Sequence, residues 1–287
     1  METNAWKVMW REIRHDKLAL LGLILFVVTV VTVYTWALTI DQSAAAIVNV
    51  RNMNQPPSRT HPLGTDPGGR DVLEQLVLSA RNSFNITFIM TIAGAIIGIL
   101  VGLLSGFFGG HLDNVLMRIL DFYAMFPALM LIIVFISMIP SYSVVTFAVL
   151  MIVLWSWQGT ARLIRIKTLQ QGALDYVSAS KTMGTHPLVI SFREVLPNLV
   201  SIITSNFTLN LAMNMGVETG LTFLGFGLPF ATPSLGRLIA YAQMPANMTN
   251  RPWLWLPAAL LIFLMMLCVN FVGQALNRAA DAKKRMV

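Results

Sequence analysis

The run NSFNITFIMTIAGAIIGILVGLLSGFFGG, Asn82 to Gly110, contains no Asp, Glu, Lys or Arg. The hydrocarbon core of a bilayer is about 30 Å thick, and about 20 helical residues cross it. A run of this length and composition is therefore typical of a transmembrane helix. A soluble domain carries about 25% charged residues, whereas this chain of 287 residues carries 11%.

Four further intervals of the chain lack charged residues: 18–40, 122–161, 195–217 and 252–277. Each is long enough for one span. The interval 122–161 can hold two, because SMIPSYS (Ser137–Ser143) places a proline and polar residues at its middle. The sequence therefore predicts an all-α, polytopic membrane protein with six transmembrane helices.

Basic residues cluster on one side of this predicted arrangement. With six spans, 14 of the 20 basic residues fall on the side that also holds both termini. The positive-inside rule assigns that side to the cytoplasm. The net charge of +7 thus reflects orientation and does not indicate a nucleic-acid partner. The 14 residues are Lys7, Arg11, Arg14, Lys17, Arg118, Arg162, Arg165, Lys167, Lys181, Arg193, Arg278, Lys283, Lys284 and Arg285.

These assignments divide the chain into five parts. Residues 1–17 form a cytoplasmic segment, 18–40 the first span, and 41–81 an extracytoplasmic loop. Residues 82–277 form a core of five spans, which includes a cytoplasmic loop at 162–198. Residues 278–287 form a cytoplasmic tail.

A stripe of glycines runs along the second span at intervals of four residues. Small residues allow the backbones of membrane helices to approach closely. The stripe therefore predicts a packing surface, either against a neighbouring helix of the same chain or against a second subunit. Its members are Gly94, Gly98, Gly102 and Gly106, with Gly110 at the end of the run.

Polar residues recur every four positions along the fifth span, at Asn206, Asn210, Asn214 and Glu218. Polar groups facing lipid are costly, so this side should face protein or a water-filled path. Packing between helices and lining of a translocation path are both consistent with the pattern. Glu218 lies just beyond the uncharged run, near the outer surface, which makes it a poor mid-membrane ion carrier. An ion-coupled secondary transporter, which needs a coupling site near the midplane, is therefore disfavoured.

The sequence contains no constellation that indicates catalysis, a metal or a cofactor. In the outer loop, HPLGTDPGGRD (His61–Asp71) is typical of a folded turn, with Asp71 capping a short helix from Val72 to Arg81. The single cysteine, Cys268, excludes an internal disulfide and a cysteine metal site. No Gly-Lys-Ser/Thr phosphate loop is present. We therefore expect no enzyme activity and no cofactor.

One long polar segment interrupts the apolar chain, DYVSASKTMGTHPLVISFREVLPN (Asp175–Asn198). The spacing of Tyr176, Ala179 and Met183 predicts one apolar face of a short helix, with Asp175 as its N-cap. Gly184 suits the left-handed position that ends a helix, and Pro187 permits a second helix to begin. A two-turn helix is unstable alone, so its apolar face needs a partner. With Lys181 as its one basic residue, docking to protein is favoured over lipid.

This segment resembles the EAA loop of the membrane subunits of bacterial ABC importers. That loop has Glu-Ala-Ala, a glycine and a later Leu-Pro, which here are Ser178-Ala179-Ser180, Gly184 and Leu196-Pro197. Nearly the whole chain is similar to the C-type permease of oligopeptide and dipeptide importers. HPLGTDPGGRDVLEQLVLSARNSF (61–84) and ETGLTFLGFGLPFATPSLG (218–236) carry this similarity. The departures are Ser178 and Ser180 for the usual Glu and Ala, and Leu235 for a common Trp.

The resemblance implies a bacterial inner-membrane permease that pairs with a homologous permease. It also implies two cytoplasmic ATPases, an extracytoplasmic binding protein and a peptide substrate. Nickel chelates, glutathione and other small solutes are alternative substrates of similar importers. The residues that would dock the ATPase are Asp175, Tyr176, Ser178, Ala179, Ser180, Met183 and Gly184.

Overall fold

The structure, a computed structural model, describes residues 5–285, with side chains described for residues 10–279. Within this range the chain is α-helical, and its one β feature is an isolated bridge between Thr65 and Asp71. The remaining residues of the two predicted cytoplasmic termini lie outside the described range. The all-α class predicted from the charge-free intervals is confirmed.

Thirteen helices are numbered here, and further short helical segments, among them Gln42–Ala45 and Leu196–Asn198, lie between them in the described part of the chain. In chain order they are α1 (Ala5–His15), α2 (Lys17–Ala37), α3 (Val72–Phe108), α4 (Gly110–Ala124), α5 (Ala128–Met138), α6 (Val144–Met151), α7 (Gln158–Gly172), α8 (Asp175–Thr182), α9 (Pro187–Ile190), α10 (Val200–Phe223), α11 (Leu235–Ala240), α12 (Pro245–Asn250) and α13 (Leu256–Arg285). A π-helical turn, Ile152–Ser156, joins α6 to α7, and another, Ser191–Val195, continues α9 towards Leu196–Asn198.

Four helical segments among the described residues are long and apolar enough to cross a membrane: α2, α3, α6 with α7, and α13. Two bent pairs raise the count to six. One joins α4 to α5 at an angle of 77°, and the other joins the helical segment Pro187–Asn198 to α10 at 68°. The predicted number of six spans thus requires each bent pair to act as one span, and it stays a prediction.

Helix α3 differs from the sequence prediction. Asp71 caps it as expected, accepting hydrogen bonds from the backbone N–H groups of Leu73 and Glu74 at 2.8 and 3.2 Å. The helix then continues without interruption to Phe108, so the separate short helix expected at Val72–Arg81 is wrong. No glycine or proline occurs from 72 to 93, and nothing in that stretch ends the helix. Its 37 residues extend about 55 Å, well beyond the hydrocarbon core.

The bend between α4 and α5 lies at Met125–Pro127, inside the charge-free interval 122–161, where the sequence analysis predicts a break at Ser137–Ser143 only. Proline lacks the N–H group that a continuing helix requires, and it disfavours helical geometry at the preceding residue. Pro127 adopts an extended ψ of 104°, so α4 ends before it. The second break, predicted at Ser137–Ser143, lies between Met138 and Val144 as expected.

The glycine stripe of α3 packs against α7 and the π turn before it. A methyl group at Gly98 would lie 2.8 Å from the carbonyl oxygen of Trp157, and one at Gly102 would lie 2.5 Å from that of Ala161. Gly94 and Gly106 make equally close approaches to Ser156 and Arg165. At all four positions the methyl carbon would meet a backbone oxygen, which cannot move aside, so only glycine fits. The described contacts thus support packing within the chain, and the alternative of a second subunit stays a prediction.

The two ends of the described chain lie side by side. An ion pair joins Asp16, which caps α2, to Arg278 near the end of α13. Ile13, Ala19 and Ala275 belong to one buried cluster at this junction. The beginning of α2 and the end of α13 therefore lie at the same end of the helical bundle, as an even number of spans would place them.

The glycine contacts predict that Gly102→Ala destabilises the chain, because the new methyl group meets a backbone oxygen that cannot move away. Overpacking of this kind costs about 1–3 kcal/mol, which a thermal melt of the detergent-solubilised protein will detect. Gly159→Ala in α7 is the matched control, since a methyl group there meets nothing within 4 Å. A melting temperature of Gly102→Ala equal to that of the control would contradict the packing account.

Candidate docking site and polar core

Helices α8 and α9 form a compact elbow between α7 and α10. Gly184 has a φ of +80°, and its N–H donates to the carbonyl of Lys181 at 3.0 Å. The N–H of Thr185 donates to the carbonyl of Ser180 at 3.1 Å. These two bonds form a Schellman motif, which ends α8 where the sequence predicts. His186 then caps α9, with Pro187 in its first turn.

The start of α8 differs by one residue from the prediction. Leu174 is the N-cap residue and makes no side-chain capping bond, while Asp175 is the first helical residue. Asp175 is therefore not the N-cap that we expected. Its carboxylate lies in the first turn, where a negative charge interacts favourably with the helix dipole.

The inner face of the elbow is buried against the membrane helices. Val177 is fully buried in one cluster with residues of α3, α7 and α9. The Ser180 hydroxyl donates to the Glu194 carboxylate at 2.7 Å, which ties α8 to the turn after α9. On α3, the ring of Phe107 lies 5.2 Å from the Lys181 ammonium. The cluster comprises Leu103, Ile164, Val177, Ile190, Val195 and Leu199.

Tyr176 also faces inward, whereas Ala179 and Met183 are exposed. The three residues therefore do not share the single apolar face that their spacing predicts. The Tyr176 hydroxyl donates to Gln171 at 2.9 Å and accepts from Asn198 at 3.4 Å. Burial raises the pKa of Tyr176, so the phenol keeps its proton for the bond to Gln171. Ser180 is the second expected docking residue that contacts its own chain.

The outer face of the elbow carries large apolar side chains that are exposed. Met183 is 76% exposed, and Ser178, Ala179 and Gly184 are exposed beside it. Four further apolar residues, not predicted from the sequence, complete this surface. They are Leu174, Leu188, Val189 and Phe192. Helical spacing within α8 alone could not reveal them, because the turn at Gly184 brings α9 alongside. We call these eight residues the elbow surface.

The polar residues of the fifth span form hydrogen bonds to neighbouring helices. Thr160 of α7 donates to Asn206 at 3.0 Å and accepts from Asn210 at 3.0 Å. Asn214, which is buried, donates to Thr91 of α3 at 2.9 Å. Because Asn206 and Asn210 remain partly accessible, they are the members of the set that a water-filled path can reach in this conformation.

Glu218 is fully buried at the outer end of α10. Thr222 donates to its carboxylate at 3.0 Å and accepts, through the same hydroxyl, from the backbone N–H of Leu228 at 3.2 Å. The N–H of Leu235 donates to Ser83 of α3 at 3.2 Å. This network anchors the loop between α10 and α11, so in the described conformation Glu218 has a structural contact and no access to a path.

The first outer loop folds on a second buried carboxylate, Asp66. It accepts from the Arg70 guanidinium at 2.8 Å and from the Tyr241 hydroxyl at 3.2 Å. Burial, followed by the negative charge of Asp66, raises the pKa of Tyr241 to about 12. His61 bonds to Asp71 at 2.8 Å. The histidine and both aspartates of HPLGTDPGGRD thus have partners within the loop and at Tyr241.

With this geometry established, comparison with known proteins identifies the family. Residues 98–285 match the family described as binding-protein-dependent transport system inner membrane component. The chain is 44% identical over 275 residues to the oligopeptide transport system permease protein OppC of Lactococcus lactis subsp. cremoris strain SK11, covering 95% of this chain and 93% of that one. The chain belongs to this family.

A second permease of the family has a different named solute. The glutathione transport system permease protein GsiD of Pectobacterium atrosepticum is 30% identical over 279 residues, which cover 97% of this chain and 91% of that protein. Both relatives are matched almost from end to end. This permease is therefore a multi-pass inner-membrane component, as the sequence predicts.

A solved structure shares the permease fold. It shows inward-facing conformations of the MetNI methionine ABC transporter, and the matched chain has a TM-score of 0.56 and 19% identity. The match covers 72% of the permease described here and 97% of that chain. At this identity the likeness concerns the fold, which is that of a membrane subunit of an ABC importer.

The Ser180–Glu194 bond predicts that Ser180→Ala loosens the elbow of the permease. Losing the bond leaves the carboxylate without this donor and costs about 1 kcal/mol. Hydrogen–deuterium exchange across 175–185 should rise about fivefold. Ser178→Ala in the same helix is the matched control, because Ser178 is exposed. Equal exchange in the two variants would show that the bond does not hold the elbow.

Proposed function

We propose that the chain is the permease subunit of an oligopeptide importer, in which it forms the translocation path together with a homologous permease. The observation that carries this proposal is the 44% identity to an oligopeptide permease over 95% of the chain. The glutathione permease, at 30%, is a weaker match over the same length. Oligopeptides are therefore favoured over glutathione, nickel chelates or another small solute.

Energy for transport enters from outside the chain. The sequence has no phosphate-binding loop of the Gly-Lys-Ser/Thr type. Two cytoplasmic ATPase subunits would bind ATP, and an extracytoplasmic binding protein would deliver the peptide. With six spans and the positive-inside rule, the amino-terminal segment 1–17, the loop 162–198 and the tail 278–287 would lie in the cytoplasm.

The elbow surface is the docking site that we assign to an ATPase subunit. Its apolar residues are exposed in the single chain. The inner face of the elbow, by contrast, packs on α3 and α7 through Val177 and is tied to the turn after α9 through Ser180. Burying a methionine contributes about 1.5–3 kcal/mol, so Met183 alone can supply a substantial part of the docking energy. A rigid inner face would transmit movement of the docked ATPase directly to the membrane helices.

The translocation path would run beside α10. Asn206 and Asn210 supply amide groups that can replace water around the peptide backbone. Asn214 and Glu218 would join the path only after the helices around them separate, since both are buried in the described conformation.

This assignment predicts that Met183→Asp prevents assembly with the ATPase, because a carboxylate would have to be buried without a partner. Co-purification of tagged permease with the ATPase should fall at least tenfold. Met248→Asp, at an exposed position of α12 on the opposite side, is the matched control and should assemble normally. Normal assembly of Met183→Asp would exclude the elbow surface as the contact.

The substrate assignment predicts ATP-driven uptake of a labelled oligopeptide by the complete complex in proteoliposomes. Excess unlabelled peptide should compete, and excess glutathione should not. The permease without its ATPases should neither hydrolyse ATP nor accumulate peptide. Uptake of glutathione in preference to every peptide of a panel would overturn the assignment.

A further inference from the structure

Two cavities meet at one arginine on the outer side of the permease. The smaller, of 210 Å³, lies between the first outer loop and α11 and is lined by Ser79, Arg237 and the Arg70-paired Asp66 among others. The larger, of 580 Å³, lies beside the end of α10 and is lined by Tyr142, Leu228 and Arg237. Arg237 therefore presents a positive charge to both cavities.

The guanidinium of Arg237 has no acidic partner. Among the residues whose side chains the structure describes, no carboxylate lies within 4.0 Å of it, whereas the neighbouring Arg70 is paired with Asp66 at 2.7 Å. Its one hydrogen bond in that part of the chain runs from Nη2 to the carbonyl of Leu228 at 3.1 Å. A guanidinium has five N–H donors, so four remain for a ligand.

The guanidinium of Arg237 is partly buried and lies over an aromatic ring. The ring of Phe230 lies 4.5 Å from the guanidinium carbon, a contact that orients the planar group. Burial, and to a smaller extent the charge of Arg70, lower the pKa of Arg237. An anionic ligand would offset this cost, because it replaces interactions with water that the partly buried cation has lost.

A second unused donor points to the same ligand chemistry. Ser79 is 1% exposed, and its hydroxyl has no hydrogen-bond partner among the described residues. It lines the smaller cavity together with Arg237. Buried polar groups nearly always have a partner, so an acceptor atom is expected in this cavity. A carboxylate supplies acceptors for both the hydroxyl and the guanidinium.

We propose that Arg237 binds the terminal carboxylate of the transported peptide as it enters the permease, with Ser79 as a second donor. This inference rests on the proposed function. The apolar walls at Tyr142, Leu228 and Phe230 would accept the adjoining side chains of the peptide. A concave site with a recessed cation suits a flexible peptide end better than the surface of a docked protein, and Arg–carboxylate pairs favour bidentate geometry.

The test compares uptake of a labelled Ala-Leu pentapeptide with uptake of its carboxyl-terminal amide by the complete complex in proteoliposomes. At peptide concentrations below KM, Arg237→Gln should lower uptake of the peptide with a free carboxylate (the acid) about tenfold. It should leave uptake of the amide unchanged. The binding protein is identical in all samples, so its own preference cancels in the ratio of variant to wild type. Arg237→Lys keeps the positive charge but loses the planar pair of N–H donors, so it should retain part of the preference for the acid.

Arg59→Gln is the matched control, because it removes an equal charge from an exposed position of the first outer loop. It should leave the ratio of acid to amide uptake as in wild type. An equal loss of acid and amide uptake in Arg237→Gln and Arg237→Lys would mean that Arg237 serves protein docking or folding, and would overturn the inference. An unchanged ratio in both variants would overturn it as well. Failure of the wild-type complex to take up either peptide would overturn the proposed function itself.

Discussion

Close contact between the backbones of α3 and α7 is the constraint on which the rest of this permease depends. Inside a bilayer the hydrophobic effect does not hold helices together, so packing must do so. A methyl group at Gly98, Gly102 or Gly106 would lie within 2.5–2.8 Å of α7 or of Trp157, the residue before it. The two helices therefore form one rigid pair, and polar residues of α10 bond to both of them through Thr160 and Thr91.

The same rigid pair continues into the elbow. The cluster around Leu103 of α3 and Ile164 of α7 also contains Val177 of α8, so the elbow cannot tilt independently of the membrane helices. The polar segment Asp175–Asn198 thus has one face packed against the membrane helices and one face exposed. At the other end of α10, Glu218 anchors the loop that leads to α11 and Arg237, so the proposed substrate contact and the proposed docking site lie at opposite ends of one connected set of helices.

Features that depend on local physics were predictable from the sequence, and features that depend on tertiary contacts were not. The charge-free intervals, the glycine stripe and the left-handed Gly184 follow from transfer energies, steric size and backbone geometry. The inward orientation of Tyr176 was missed because Gln171 and Asn198 approach it only after folding. Arg237 was missed for a related reason. Its side chain lines two cavities and has no carboxylate partner among the described residues, and neither fact follows from spacing in the sequence.

Site-directed crosslinking tests the central claim, that energy enters through the elbow surface, most directly. Cys268 is the single cysteine, so its replacement by serine gives a background in which one new cysteine reports one position. A cysteine at Met183 in the assembled complex should crosslink efficiently to an ATPase subunit, and one at the exposed outer-loop position Thr60 should not. A Met183 cysteine that stays freely reactive towards soluble thiol reagents in the ATPase-bound complex, and forms no crosslink, would contradict the account.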